Sequence, residues 1–175
     1  MIYEVIIHFT LEEDCNVISV DWEPLARAPF YVKAARNAMP AGARVAELLK
    51  SIIQTTGASL EDFHGIGSSL GGQLMGGLGH AMEGKMKRIT ALDPAGDSNL
   101  KKHCKLTRFC SFLMFPGPMF HTVSPEERLD PTDAELVDVI HTAGRWIGMD
   151  GVVGNLMWKY YLHFFISLIN QGWRH

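Results

Sequence analysis

The spacing of hydrophobic residues along the chain predicts alternating strands and helices. Residues 16–22 are rich in β-branched side chains and end at a polar turn, which predicts a buried strand. Residues 40–53 carry hydrophobic side chains at intervals of three and four, which predicts an amphipathic helix that stops at Gly57. Residues 63–66 and 87–92 are two further predicted strands.

Residues 71–82 follow the second predicted strand and have two interpretations. Five glycines in this stretch each cost a helix about 1 kcal/mol relative to alanine, which favours a flexible loop. The alternative is a helix whose small residues allow close contact with a sheet. Strands and helices that alternate at this spacing indicate an α/β fold with a parallel sheet.

Two segments do not fit this alternation. Residues 97–116 contain a basic cluster and then an apolar run, with neither a helical nor a strand period. Residues 155–170 are apolar and aromatic but include Lys159 and His163, and they are too short and interrupted for a confident membrane span. A core or interface helix, an interfacial membrane helix and a poorly folding segment remain open for residues 155–170.

The composition is typical of one globular domain. The chain has 175 residues, of which 47% are hydrophobic and 20% charged, so wholesale disorder is excluded. A net charge of −3 argues against nucleic acid as a partner. The three cysteines match neither a disulfide framework nor a zinc pattern, and we expect free thiols, with a Cys104–Cys110 pair as the alternative. Residues 1–9 are not a convincing signal peptide.

The candidate chemistry lies where two predicted strands end. The sequence GSSLG at residues 67–71 follows the strand at 63–66, which is the context of a nucleophile elbow that projects Ser69. We expect glycine at both ends of this motif because a side chain there would collide with a neighbouring strand or helix. The strand at 87–92 ends on Asp93, and serine followed by an acid is the chain order of an α/β-hydrolase triad.

Four ordered stretches make the chain resemble the pancreatic-type (neutral) lipase family, particularly its insect members. They are residues 14–26, 67–71, 89–96 and 128–142. The resemblance implies a partial α/β-hydrolase fold, a mostly parallel sheet flanked by helices, in one incomplete domain that covers residues 1–175. It also implies an extracellular serine hydrolase of lipid carboxylic esters, either triacylglycerols or the phospholipid bond cleaved by phospholipase A1. The expected partner is a lipid ester or a lipid interface.

By position in the family, Ser69 would be the nucleophile and Asp93 the acid that orients a histidine. The backbone N–H of Leu70 would be one oxyanion-hole donor. The alternative interpretations are an ordinary glycine-rich turn at Ser69 and a cap before Pro94 at Asp93. Ser68 and Gln73 stand where the family usually has histidines, and residues 5–9 only approximate the upstream oxyanion loop, without its glycine.

The catalytic histidine is unknown. The family's histidine motif falls beyond the end of this chain, and we interpret His141 as structural. Chain order also permits His103, His121, His163 and His175. We interpret residues 97–117 as an insertion and residues 155–175 as an atypical C-terminal segment. The alternative function is therefore that of a catalytically inactive, truncated lipase homologue with at most a lipid-binding role.

Acidic residues around Arg128 are candidates for a metal site. Asp130 and Asp133 match aspartates that, with a glutamate and backbone carbonyls, can hold calcium in the family, and hard oxygen ligands suit Ca²⁺. The alternative is a solvated acidic turn. Ester hydrolysis by a serine requires no cofactor, so calcium would be structural.

Overall fold

A computed structural model describes residues 14–27, 30–96, 120, 123–142 and 153–159. The long elements in this part are α1 (Tyr31–Thr56), β1 (His64–Ser68), α2 (Leu70–Ala81), β2 (Arg88–Leu92), β3 (Leu136–His141) and β4 (Leu156–Lys159). Short 3₁₀ turns occupy Glu23–Leu25, Leu60–Asp62 and Pro125–Glu127.

The strands form one parallel sheet in the order β1-β2-β3-β4. The register pairs Ser68 with Leu92, and Leu92 in turn with Ile140. Because parallel strands present their carboxyl ends at the same edge, the residues that follow β1, β2 and β3 lie side by side. The predicted parallel α/β sheet is confirmed.

One face of the sheet carries the core. Ile89, Ala91, Val137 and Val139 are each fully buried and alternate with residues of the opposite face, as strand geometry requires. These side chains join apolar residues of α1 and α2 in a single cluster. The helix α2 packs on β1 and β2, and α1 packs on α2.

The helix α1 is longer than its hydrophobic period predicted. It begins at Tyr31 rather than at Pro40, and Pro40 lies within it on the exposed side, where the missing N–H costs one helical hydrogen bond. Three alanines before the proline, Ala34, Ala35 and Ala38, are buried, so the first turns also contribute to the core. The helix ends as predicted at Gly57, whose φ of 75° is left-handed.

The glycine-rich stretch after β1 is a helix, not a loop. Its glycines allow α2 and α1 to meet backbone against backbone. A Cβ on Gly42 of α1 would lie 2.0 Å from the carbonyl oxygen of Leu74, and a Cβ on Gly77 of α2 would lie 2.2 Å from that of Met39. The tertiary contact therefore outweighs the low helix propensity of glycine.

The predicted strand at residues 16–22 is wrong. This stretch has no regular secondary structure, and Val17 and Ile18 are 44% and 45% exposed. A strand needs a neighbour to satisfy its backbone, and none of the described segments pairs with this one. Its polar end instead forms a turn, in which the amide of Glu23 donates to Asp21 Oδ1 at 3.0 Å.

The helical interpretation of residues 155–170 is also wrong at its start. Residues 156–159 form β4, which pairs in parallel with β3. Residues 160–175 and the segment interpreted as an insertion, residues 97–117, lie outside the described residues. Within the described part of the chain, no helix has the length and apolar character needed to cross a membrane.

The backbone contact between the two helices predicts different changes in folding stability for two glycine substitutions in α2. Gly77→Ala should destabilise the protein by about 1–3 kcal/mol because its methyl would force α1 and α2 apart. Gly71→Ala should be neutral or stabilise by up to about 1 kcal/mol, since no atom lies within 4 Å of the Cβ position. Urea unfolding of both variants measures this difference, and equal stability would contradict the close helix contact.

Candidate active site

Ser69 occupies a strained turn between β1 and α2. β1 ends at Ser68 and α2 begins at Leu70, so the chain reverses at a single residue. Ser69 has φ 54° and ψ −120°, a conformation that L-residues avoid and that costs about 1–3 kcal/mol. The residue is exposed, so the strain presents its side chain to solvent. The predicted sharp strand-to-helix turn is confirmed.

The structure explains why glycine is needed at one end of the motif but does not require it at the other. A Cβ on Gly67 would lie 2.1 Å from the carbonyl oxygen of Gly71, so the strand could not approach the helix with any side chain there. The expectation of a similar collision at Gly71 is wrong for the part of the chain that the structure describes, where a Cβ on Gly71 would meet no atom within 4 Å. Gly71 lies in the first turn of α2, where the Cβ direction is open.

Asp93 follows β2 and is held by the end of β3. Its amide donates to the carbonyl of Ile140 at 2.8 Å. The amide of Thr142 donates to Asp93 Oδ1 at 2.7 Å, and the Thr142 hydroxyl donates to Oδ2. Asp93 has a φ of 45°, a left-handed conformation that aspartate tolerates better than most residues. Both carboxylate oxygens are therefore oriented by one neighbouring residue.

Backbone hydrogen bonds connect the serine turn to the aspartate loop. The amide of Ser69 donates to the carbonyl of Leu92 at 3.0 Å, and the amide of Ala95 donates to the carbonyl of Ser69 at 3.0 Å. Ser68 and Leu92 are register partners, so Ser69 and Asp93 each follow one member of a paired position. The structure thus brings the two predicted residues to the same edge of the sheet.

Gln73 and Thr142 are site residues whose contacts the sequence did not reveal. Gln73 is fully buried; its Nε2 donates to the carbonyl of Ala95 at 2.6 Å, and its Oε1 accepts from the amide of Leu129 at 2.8 Å. A single amide side chain in the otherwise small and apolar helix α2 was the available signal. The sequence alone marks Gln73 only as a residue that replaces a histidine of the family.

Leu70 is the first residue of α2, so it has no carbonyl within the helix to accept from its N–H, and the helix N-terminus favours negative charge. Its role as an oxyanion-hole donor stays a prediction. Residues 5–9, the predicted source of a second oxyanion donor, lie outside the described residues.

The catalytic histidine stays unassigned. His103, His121, His163 and His175 lie outside the described residues. His141 ends β3 one residue before Thr142 and is 3% exposed.

The predicted calcium residues form a compact loop. Asp130 Oδ1 accepts from the amide and the hydroxyl of Thr132, both at 2.7 Å, and Asp133 Oδ2 accepts from the amide of Asp130 at 2.9 Å. Arg128 Nη1 donates to the carbonyl of Leu129 at 3.0 Å. Burial raises the pKa of Asp133 to about 7, against the opposing effect of its hydrogen bond.

This loop does not by itself make a metal centre. Across the described ranges, no three carboxylate, imidazole or thiolate groups converge on a point where a metal ion could sit. The two aspartates direct oxygens toward backbone amides instead. Calcium binding at Arg128, Asp130 and Asp133 therefore stays a prediction.

Comparison with known proteins agrees with the fold. A parallel sheet with a strained serine turn after one strand is the arrangement of α/β-hydrolases. The sequence matches the Lipase family over residues 2–161, and the chain belongs to that family. It is 35% identical over 147 residues to lipase member H of Oryctolagus cuniculus and 38% identical over 150 residues to pancreatic lipase-related protein 2 of Homo sapiens. Each alignment covers 82% of this chain and 27% of the relative.

The strain at Ser69 predicts that glycine stabilises this position. The observed φ and ψ mirror an ordinary extended conformation, which glycine adopts without a steric penalty. Ser69→Gly should therefore be about 1 kcal/mol more stable than Ser69→Ala, which lacks the hydroxyl but retains Cβ. Thermal or urea unfolding of the pair measures this. A glycine variant that is no more stable than the alanine variant would mean that the turn is relaxed.

Proposed function

We propose that this protein is a serine carboxylic-ester hydrolase of the lipase and phospholipase A1 type. The observation that carries the proposal is the strained, exposed Ser69, which hydrogen bonds join to the strand that ends on Asp93. Strain of this size persists only where the surrounding structure imposes it, and such sites are concentrated in active sites.

The chemistry assigns a step to each residue. The Ser69 hydroxyl would attack the ester carbonyl while an imidazole takes its proton. The imidazolium would return this proton to the departing alcohol as the ester C–O bond breaks, which leaves an acyl-enzyme that water then hydrolyses to the free acid. The N–H of Leu70 would donate to the oxyanion as charge develops there. Asp93, oriented by Thr142, would hold the imidazole in the correct tautomer and stabilise its cation.

Lipid esters are the substrate class that family membership supports. The relatives are named as lipases, and lipid esters placed at an interface are the substrates that this name describes. We propose an extracellular location on the same basis. The chain spans about a quarter of the length of these relatives, so the activity of a whole lipase is part of the proposal.

Hydrolysis of a soluble short-chain ester tests the role of Ser69. With an imidazole supplied by His103, His121, His163 or His175, the 175-residue chain should show turnover that falls by at least about 10³-fold in Ser69→Ala, because loss of the nucleophile removes the acylation step. Ser51→Ala, on an exposed part of α1, is the matched control and should keep the wild-type rate. A fluorophosphonate probe should label the wild type and Ser51→Ala but not Ser69→Ala.

Equal rates for the wild type and Ser69→Ala, with no labelling at Ser69, would contradict the proposal. The alternative would then apply, a catalytically inactive homologue with at most a lipid-binding role. Co-sedimentation of the same samples with phosphatidylcholine vesicles would measure that role directly.

A further inference from the structure

A partly buried ion pair connects β2 and β3 away from the candidate active site, with the Arg88 side chain 46% exposed. Asp138 of β3 is 2% exposed. Arg88 of β2 approaches it with two nitrogens, at 3.1 Å from Nε to Oδ1 and 2.8 Å from an Nη to Oδ2. Bidentate hydrogen bonding between arginine and a carboxylate is among the strongest pairings that a carboxylate makes. It compensates for the cost of removing the charge from water.

Thr90 of β2 connects the Asp138 carboxylate to His64 at the start of β1. The hydroxyl of Thr90 donates to Asp138 Oδ1 at 2.6 Å, and Thr90 Oγ1 lies 2.7 Å from His64 Nε2. A hydroxyl has one hydrogen, and an ionised carboxylate can only accept, so the hydrogen of Thr90 points at Asp138. His64 therefore donates from Nε2. The chain of contacts crosses three adjacent strands, from β1 through β2 to β3.

Ionisation of these groups depends on the whole network. Burial alone would raise the pKa of Asp138, but hydrogen bonds from Arg88 and Thr90 and the charge of Arg88 hold it below its usual value. Burial and the charge of Arg88 lower the pKa of His64, and Asp138 partly opposes them. Among the described residues, another ion pair joins Lys87 and Glu135 at 3.2 Å, with both side chains mostly exposed.

We propose that His64, Thr90, Arg88 and Asp138 form an acid-sensitive clasp that holds β1, β2 and β3 together. The clasp loosens when the pH falls far enough to protonate Asp138, because a neutral carboxyl group no longer attracts the Arg88 cation. These are the strands that end at Ser69, Asp93 and Thr142 on the opposite edge of the sheet, so loosening the clasp would disorder that edge. The clasp does not depend on whether the chain hydrolyses esters.

The sign of this effect follows from linkage. The folded protein favours ionised Asp138, so its contribution is present above the unfolded pKa of about 3.9 and is lost as the pH falls through the lower folded pKa. Each unit of difference changes the folding equilibrium constant about tenfold.

Urea unfolding of the full 175-residue chain between pH 7.5 and pH 3 measures this loss. The wild type should lose stability below about pH 4. His64→Gln, which retains an N–H donor for Thr90, should lose stability over the same pH range. His80→Gln removes a histidine from α2, outside the network, and should do the same.

A pair of variants at Thr90 tests whether the strands are coupled through the hydroxyl. Thr90→Ser retains the hydroxyl and should preserve this pH dependence, whereas Thr90→Val has a similar shape without it. Thr90→Val should unfold at lower urea at pH 7.5, and its loss of stability should move to higher pH. The clasp is refuted if the wild type keeps its full stability down to pH 3, or if Thr90→Val and Thr90→Ser have the same midpoints at every pH.

Discussion

The backbone of α2 lies directly against the backbone of its neighbours, and the rest of the structure depends on this contact. At Gly67 the strand β1 approaches Gly71 so closely that a methyl group would lie 2.1 Å from a carbonyl oxygen. At Gly77 the helix meets α1 at a similar distance. Because α2 lies this close to both β1 and α1, only one residue, Ser69, connects the strand to the helix. The left-handed φ of Ser69 is the consequence.

The tight connection also organises the loops at the carboxyl edge of the sheet. Ala95 donates to the carbonyl of Ser69, and Gln73 of α2 holds the carbonyl of the same alanine and the amide of Leu129. Asp93 lies between these anchors and the end of β3, where Thr142 holds its carboxylate. The site is therefore built by helix, strand ends and loops together, and no single loop defines it.

Local signals in the sequence predicted the parts of the fold that local physics determines. The motif at residues 67–71 predicted the turn at Ser69, and Gly57 predicted the end of α1, because backbone conformation decides both. Parallel pairing and the position of Asp93 followed from the alternation of elements. Family resemblance then supplied the functional roles that the pattern alone could not.

The errors came from properties that depend on distant residues. Residues 16–22 have the composition of a strand, yet pairing decides whether such a stretch becomes one, and composition does not show a partner. The start of the aromatic segment at 155–170 is strand rather than helix, because a short apolar run fits either period. Thr142 reaches Asp93 across 49 positions and Gln73 reaches Leu129 across 56, separations that no local pattern encodes.

The central claim is that one rigid hydrogen-bonded unit joins Ser69 to Asp93, and native-state hydrogen exchange tests it most directly. The amides of Ser69, Asp93, Ala95 and Thr142 donate to Leu92, Ile140, Ser69 and Asp93 respectively, at 2.7–3.0 Å. We predict that all four exchange only through global unfolding, with the same free energy as the amides of β2. Exchange of these four amides by local opening, while β2 stays protected, would contradict the account.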